Sequence, residues 1–206
     1  MAQVRRPQHT KPVRKLLRAI AADTDATYQL GLATLDADER AMFPLDMMAL
    51  GAVKRSVSTS SAVLAMVKAW NMVCARTLLR THIDTSLRFS AAWLVADPHA
   101  FATDVVKGER IDRLKDRDGK RLTDARLVEL RTPECPWLPA VYSGLSGYVH
   151  FSGCHIVDSV TTLDHAARTI QFEISPMDTR FPEFSWVEVL ECFRETTELL
   201  ARYLHG

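Results

Sequence analysis

A chain of 206 residues, 47% hydrophobic and 25% charged with a net charge of +1, can bury a core without metal or disulfide staples, which excludes global disorder and a disulfide-framed miniature fold. Its four cysteines, Cys74, Cys135, Cys154 and Cys192, form no Cys-x-x-Cys pair, so neither a zinc ribbon nor a redox motif is suggested and reduced thiols are expected. No apolar run approaches the roughly 18 residues of a membrane span, and no secretory apolar core follows the basic start, so a cytoplasmic protein without a membrane partner is expected.

Residues 1 to 11 read as a basic arm. Between positions 1 and 22 stand Arg5, Arg6, Lys11, Arg14, Lys15 and Arg18 and no acid, whereas from Asp158 onward nine acids face four arginines. Such an arm suits RNA, a membrane surface or the chain's own acidic C-terminal helix, and equally a solvated lead into a helix. An Arg-rich, acid-poor start also fits a transit peptide, although this one is poor in serine.

A first helix is predicted from Pro12 to Leu35, with Leu16, Ile20 and Tyr28 on one face and the charged "DADER" at 36 to 40 ending it. A second follows Pro44, over 45 to 69, and Asn71 supplies an N-cap for a third over 72 to 95, stopped by Asp97-Pro98. The dense charge of 107 to 126 predicts an exposed excursion outside the core, turning at Asp118-Gly119. Pro133, Pro136 and Pro139 delimit a helix over 138 to 157. Residues 168 to 175 alternate as a short strand, and an amphipathic helix from about 183 closes the chain. The fold class is all-α, a bundle with one short strand or hairpin.

Two polar stripes stand out. In the third helix Arg76, Arg80, Asp84 and Arg88 recur every four residues on one face, opposite Leu79, Ile83, Leu87 and Leu94. The stripe reads either as a charge ladder on an exposed helix or as guanidinium forks lining a cleft, binding phosphate with Asp84 orienting one of them. In the 138 to 157 helix Tyr142, Ser146, His150 and Cys154 repeat the spacing. Histidine exchanges protons near neutrality, and Ser146 and Tyr142 are its hydroxyl partners one and two turns back. The competing reading is a packed, hydrogen-bonded histidine on a face whose Gly144, Gly147 and Gly153 admit a neighbouring helix.

A zinc site from His150, Cys154 and His155 lacks a fourth ligand at diagnostic spacing. "DRDG" at 116 to 119 opens like a calcium loop, but its twelfth position is Leu127 instead of a glutamate. No Gly-rich phosphate loop, nucleophile elbow or dinucleotide fingerprint is present, so no metal and no cofactor are expected.

Taken in order, "CARTLLRTHIDTSLRFSAAWLV", "VKGERIDRLKDRDGKRLTDARL" and "VYSGLSGYVHFSGCHI" resemble a family of bacterial helical proteins that is itself similar to the HEPN superfamily, over most of residues 45 to 157. The resemblance implies a bundle of four to five main helices and a homodimer. It also implies, in active members, a metal-independent ribonuclease of toxin or defence type, with an Arg-x(4 to 6)-His motif at the dimer cleft and a neutralising partner protein. At His150 the motif is not met, since the positions five to seven residues upstream hold Ser143, Gly144 and Leu145. A nominal match at Arg76 and His82 turns His82 about 240° around the helix from Arg76. A composite site is the expectation instead: Arg80, Asp84 and Arg88 facing Ser146 and His150 as catalytic residues, with Arg76 and Tyr142 binding ligand. The alternative is a non-catalytic helical module for a partner protein or a small anionic ligand, with the stripes as a network that fixes helix register.

Overall fold

The computed structural model describes residues 7 to 35 and 41 to 205. They form, in chain order, α1 (Lys11–Leu35), α2 (Pro44–Lys68), α3 (Met72–Ser90), α4 (Pro98–Val106), α5 (Asp124–Arg131), α6 (Leu138–Val149), α7 (Gly153–Ser159), the strands β1 (Val160–Asp164) and β2 (Thr169–Phe172), and α8 (Glu183–His205). The strands make one antiparallel hairpin in which Leu163 faces Ile170. The described residues are thus mostly helical with a single small sheet. No helix among the described residues is long and apolar enough to cross a membrane.

The third helix is the organising element. It packs against α2, α5, α6 and α8, and Met72, Ala75, Leu79, Ile83 and Leu87 are all 1% exposed or less. That is the three- and four-residue spacing of a helix face turned into a core. From α8, Trp186, Leu190 and Phe193 meet it, and Val13 and Ile20 of α1 join the same cluster. Leu94, expected to continue the α3 stripe, lies beyond a short 3-10 turn at Ala91–Trp93 and packs at the core's margin. At the start of α3 the Asn71 side chain accepts from the Cys74 amide at 2.8 Å, and Asp178 accepts from the Met72 amide at 2.7 Å. Two of the orphan amide donors of this helix end are satisfied in this way.

Several sequence expectations are corrected. Arg5, Arg6 and the "DADER" stop lie outside the described residues. The described part of the basic arm is pinned down: His9 stacks on Trp70 at 3.8 Å, and the Trp70 indole donates to the Pro7 carbonyl at 2.9 Å. Where α1 meets α8, Asp23, just past the basic stretch, accepts from Arg194 at 2.7 Å. The third helix, expected to run to 95, ends at Ser90, so Asp97-Pro98 does not stop it but begins the next helix. The Asp97 carboxylate accepts from the His99 and Ala100 amides at 2.9 and 3.0 Å and starts α4, with Pro98 as its first residue.

The stretch 107 to 126 is not an exposed excursion throughout. Leu122 is fully buried, and Asp116 folds the "DRDG" turn inward by accepting from the Asp118 and Lys120 amides at 3.0 and 2.8 Å and from Arg126 Nε at 3.0 Å. Gly119 takes a φ of +76°, which favours glycine. Replacing Asp116 by alanine strips three donors of their acceptor, so Asp116→Ala is expected to cost about 1–3 kcal/mol in urea unfolding. A loss under 0.5 kcal/mol would mean that the turn holds without it.

The helix expected over 138 to 157 is broken in two. After Val149 the backbone at His150 is extended, with φ −112° and ψ 143°. The Ser152 hydroxyl donates back to the Gly147 carbonyl at 3.1 Å, and a Cβ at Gly147 would stand 2.8 Å from that hydroxyl. Gly147 therefore serves the chain folding back on α6, not the approach of another helix. Cβ atoms built at Gly144 and Gly153 meet nothing within 4 Å.

Candidate functional site

The α3 stripe closes into a ring of four charges. Arg88 Nε donates to both Asp84 carboxylate oxygens at 2.9 Å, and Arg88 Nη2 donates to Asp124 at 2.6 Å. Arg80 lies 3.7 Å from Asp84 and 3.7 Å from Asp124. Asp124 is the first residue of α5, where a helix N-terminus favours an acid. Each carboxylate thus serves both arginines, and the ring is neutral.

From α6, Tyr142 sets its ring 3.6 Å beneath the Arg80 guanidinium, which also hydrogen-bonds the Tyr142 hydroxyl. Burial first, then the Asp124 and Asp84 carboxylates, push the Tyr142 hydroxyl above the usual phenol range against the opposing pull of Arg80. Tyr142 stays protonated, as a donor and not a base.

One turn earlier, Arg76 sits between the rings of Tyr148 and Phe181, 4.8 Å from each. It hydrogen-bonds the Tyr148 hydroxyl, which in turn donates to Asp158 at 2.7 Å. Arg76 is therefore committed to α6 and α7, apart from the ring. The Thr77 hydroxyl donates to the Tyr148 carbonyl at 3.0 Å and fixes the end of α6 on α3.

Between α2, α3 and the end of α6 opens a cavity of about 270 Å³ lined by Arg55, Arg80, Thr81, Asp84, Ser146 and His150. Four of the five expected catalytic residues meet here, although His150 arrives from the extended residue after α6 and not from its face. The Ser146 hydroxyl donates to the Tyr142 carbonyl at 3.0 Å. His150 is exposed, and its imidazole makes no hydrogen bond among the described residues. Arg88, the fifth, lines an adjoining cavity that shares Arg55 and Asp84. Tyr142 holds Arg80 from behind without lining the cavity, whereas Arg76 lines a separate cavity with Tyr148 and Cys154, the latter carried there on α7.

Two residues that spacing did not single out complete the site. Asp124 came from a stretch read as solvent-exposed. Arg55 sits in α2, exposed, and its guanidinium has no hydrogen bond or ion pair among the described residues. Arg80 Nε is buried and also unpartnered there. Arg55 is thus a cation of this face that no carboxylate among the described residues engages.

His82 lies elsewhere. It is fully buried against α8, stacked on Phe193 at 4.2 Å, with Nε2 2.9 Å from the Thr197 hydroxyl. Desolvation holds its pKa down at about 3, so it is a neutral core residue. His155 stacks on Phe151 at 5.8 Å, and among the described residues no three His, Cys, Asp or Glu side chains are grouped to hold a metal ion. Comparison of the chain with models of protein families, with curated proteins and with solved structures finds no match.

Proposed function

We propose that the cavity holding His150 binds an RNA phosphodiester and cleaves beside it, in the manner that the resemblance to the HEPN superfamily implies. The observation that carries this is the meeting of His150, Ser146, Arg80 and the unpaired Arg55 on one cavity. His150 takes the proton of the ribose 2′-hydroxyl, the 2′ oxygen attacks phosphorus, and the bond to the 5′ oxygen breaks, that oxygen taking a proton from water. Arg55 and Arg80 stabilise the added charge on the phosphorane, and Asp84 and Tyr142 keep Arg80 in place. The products are a 2′,3′-cyclic phosphate and a 5′-hydroxyl. A homodimer and a neutralising partner protein belong to the same proposal, for which exposed Phe151, Val157, Phe172 and Ile174 offer apolar surface.

The test is incubation of the purified protein with total RNA in EDTA beside His150→Ala, since the reaction as drawn uses no metal. Cleavage leaving cyclic phosphate ends and falling about 100-fold or more in the variant is expected. Intact RNA with folded wild-type protein would sink the proposal. A second reading is favoured by the neutrality of the charge ring: Arg80 and Arg88 fix the register of α3 and α5, and the cavity of a non-catalytic module takes a small anionic ligand on Arg55.

A further inference from the structure

The polar cavity adjoins a second one of different character. The second, about 240 Å³, shares Arg55 and Asp84 with the first, but much of its wall is apolar: Met48, Ala52, Phe89, Val105 and Ile111. Gly51 of α2 lines it too, and a Cβ built there meets nothing within 4 Å. Gly51 is exposed, so the rim of the cavity is open there and a larger side chain would stand over it. Its volume of about 240 Å³ has room for a small ring system.

Polar groups are few and placed at the junction of the two spaces. Arg55 is uncommitted. Arg88 uses Nε and Nη2 on Asp84 and Asp124, and its Nη1 makes no hydrogen bond among the described residues. The Thr85 hydroxyl donates to the Thr81 carbonyl at 2.9 Å and keeps its lone pairs as an acceptor. An apolar space with a few convergent donors and acceptors, opening on a cationic polar cavity, matches a ligand that changes from charged to flat and weakly polar within a few ångströms. A bare phosphate would leave the apolar half unused. An alkyl chain would leave the Arg88 and Thr85 groups without partners.

We propose that the second cavity takes the nucleobase of the nucleotide whose phosphate occupies the first. The inference rests on the phosphodiester reading and adds the substrate's class: a nucleotide with its base held between α2, α3 and the Ile111 turn, and Arg55 spanning phosphate and ring face.

The experiment is calorimetric titration of the wild-type chain, Gly51→Leu and Arg55→Ala with adenosine 3′-monophosphate, uridine 3′-monophosphate and, as a baseless control, ribose 5-phosphate. Gly51→Leu covers the rim of the cavity where space exists and replaces an exposed helical glycine, so the variant keeps its fold, which thermal unfolding checks. Wild-type protein is expected to bind at least one of the nucleotides about tenfold or more tighter than ribose 5-phosphate. Gly51→Leu is expected to abolish that advantage and leave the sugar phosphate unchanged, and Arg55→Ala to weaken both. Equal binding of nucleotides and sugar phosphate, or an advantage that survives Gly51→Leu, overturns the base site while His150-dependent RNA cleavage would still stand. A Gly51-dependent advantage without RNA cleavage keeps the base site and removes the catalytic reading. No binding of any phosphate ligand overturns the base site, and the RNA cleavage assay then decides the catalytic reading by itself.

Discussion

Replacing Arg131 by alanine is expected to cost about 2–4 kcal/mol of stability, from the loss of charge-assisted hydrogen bonds to the buried Ser90 and of the counter-charge of the more exposed Glu134. Arg131 ends α5 with its side chain 8% exposed. Its Nε donates to the Ser90 hydroxyl at 2.9 Å, Nη2 to the Ser90 carbonyl at 2.7 Å and Nη1 to Glu134 at 2.8 Å. Its guanidinium lies 4.4 Å from the ring centre of Tyr203, whose hydroxyl donates to Glu134 at 2.7 Å. One planar fork thus ties α5 to the end of α3 and to α8. Without it the fully buried Ser90 keeps its own donation to the Leu87 carbonyl, but its carbonyl loses the Arg131 donor and Glu134 loses its counter-charge. Lysine presents a point charge that cannot reach both Ser90 atoms and Glu134 together, so Arg131→Lys should recover only part of the loss. Urea unfolding of the two variants decides it; an alanine variant within about 1 kcal/mol of wild type would show the fork to be dispensable.

A pH-dependent loss of stability is the second large effect. The folded chain holds His82 neutral down to about pH 3 by desolvation, against an ordinary histidine value of 6.5. Below pH 6.5 the unfolded chain binds a proton there that the folded chain refuses, so this contribution is fully present above 6.5 and fades as pH falls toward 3. The slope approaches 1.4 kcal/mol per pH unit, or about 2 kcal/mol between pH 6.5 and 4.5. His82→Leu should remove that part of the pH dependence. It should cost little at neutral pH, because Nδ1 has no partner among the described residues and the Thr197 hydroxyl also donates to the Phe193 carbonyl at 3.1 Å. Unfolding curves at the two pH values, wild type against variant, give the difference directly. Parallel pH dependence in both proteins would mean that His82 takes up its proton without unfolding the chain.

What could be read in the sequence and what could not divides along a physical line. Helix starts marked by local chemistry, Pro44 and Asn71, stand where their cap and turn preferences put them, because a cap is settled within a few residues, whereas α3 ends at Ser90 instead of running to the stop expected at Asp97. The α3 arginine stripe was legible for the same reason, four-residue spacing being a property of one helix. The break after Val149 was not: it depends on Ser152 returning to Gly147 and on the glycine's missing Cβ, a contact that no periodicity encodes. Asp124 and Arg55 were missed for a related reason. Each is an ordinary charged residue in its own segment and acquires a role only through the packing of α5 and α2 beside α3. Leu122 shows the converse, an apolar residue in a charged run that packing draws fully into the core, with Ile111 and Leu114 packed against it.

The charge ring also orders events in time. Asp124 stands 36 residues after Arg88 in the chain, and a ribosome adding ~5–20 residues per second delivers it roughly 2–7 s later. In that interval Arg80 and Arg88 share only Asp84, so α3 spends its first seconds outside the ribosome as a cationic strip. Docking of α5 neutralises the strip, and maturation of the fold on this side is thereby a discharge as well as a burial.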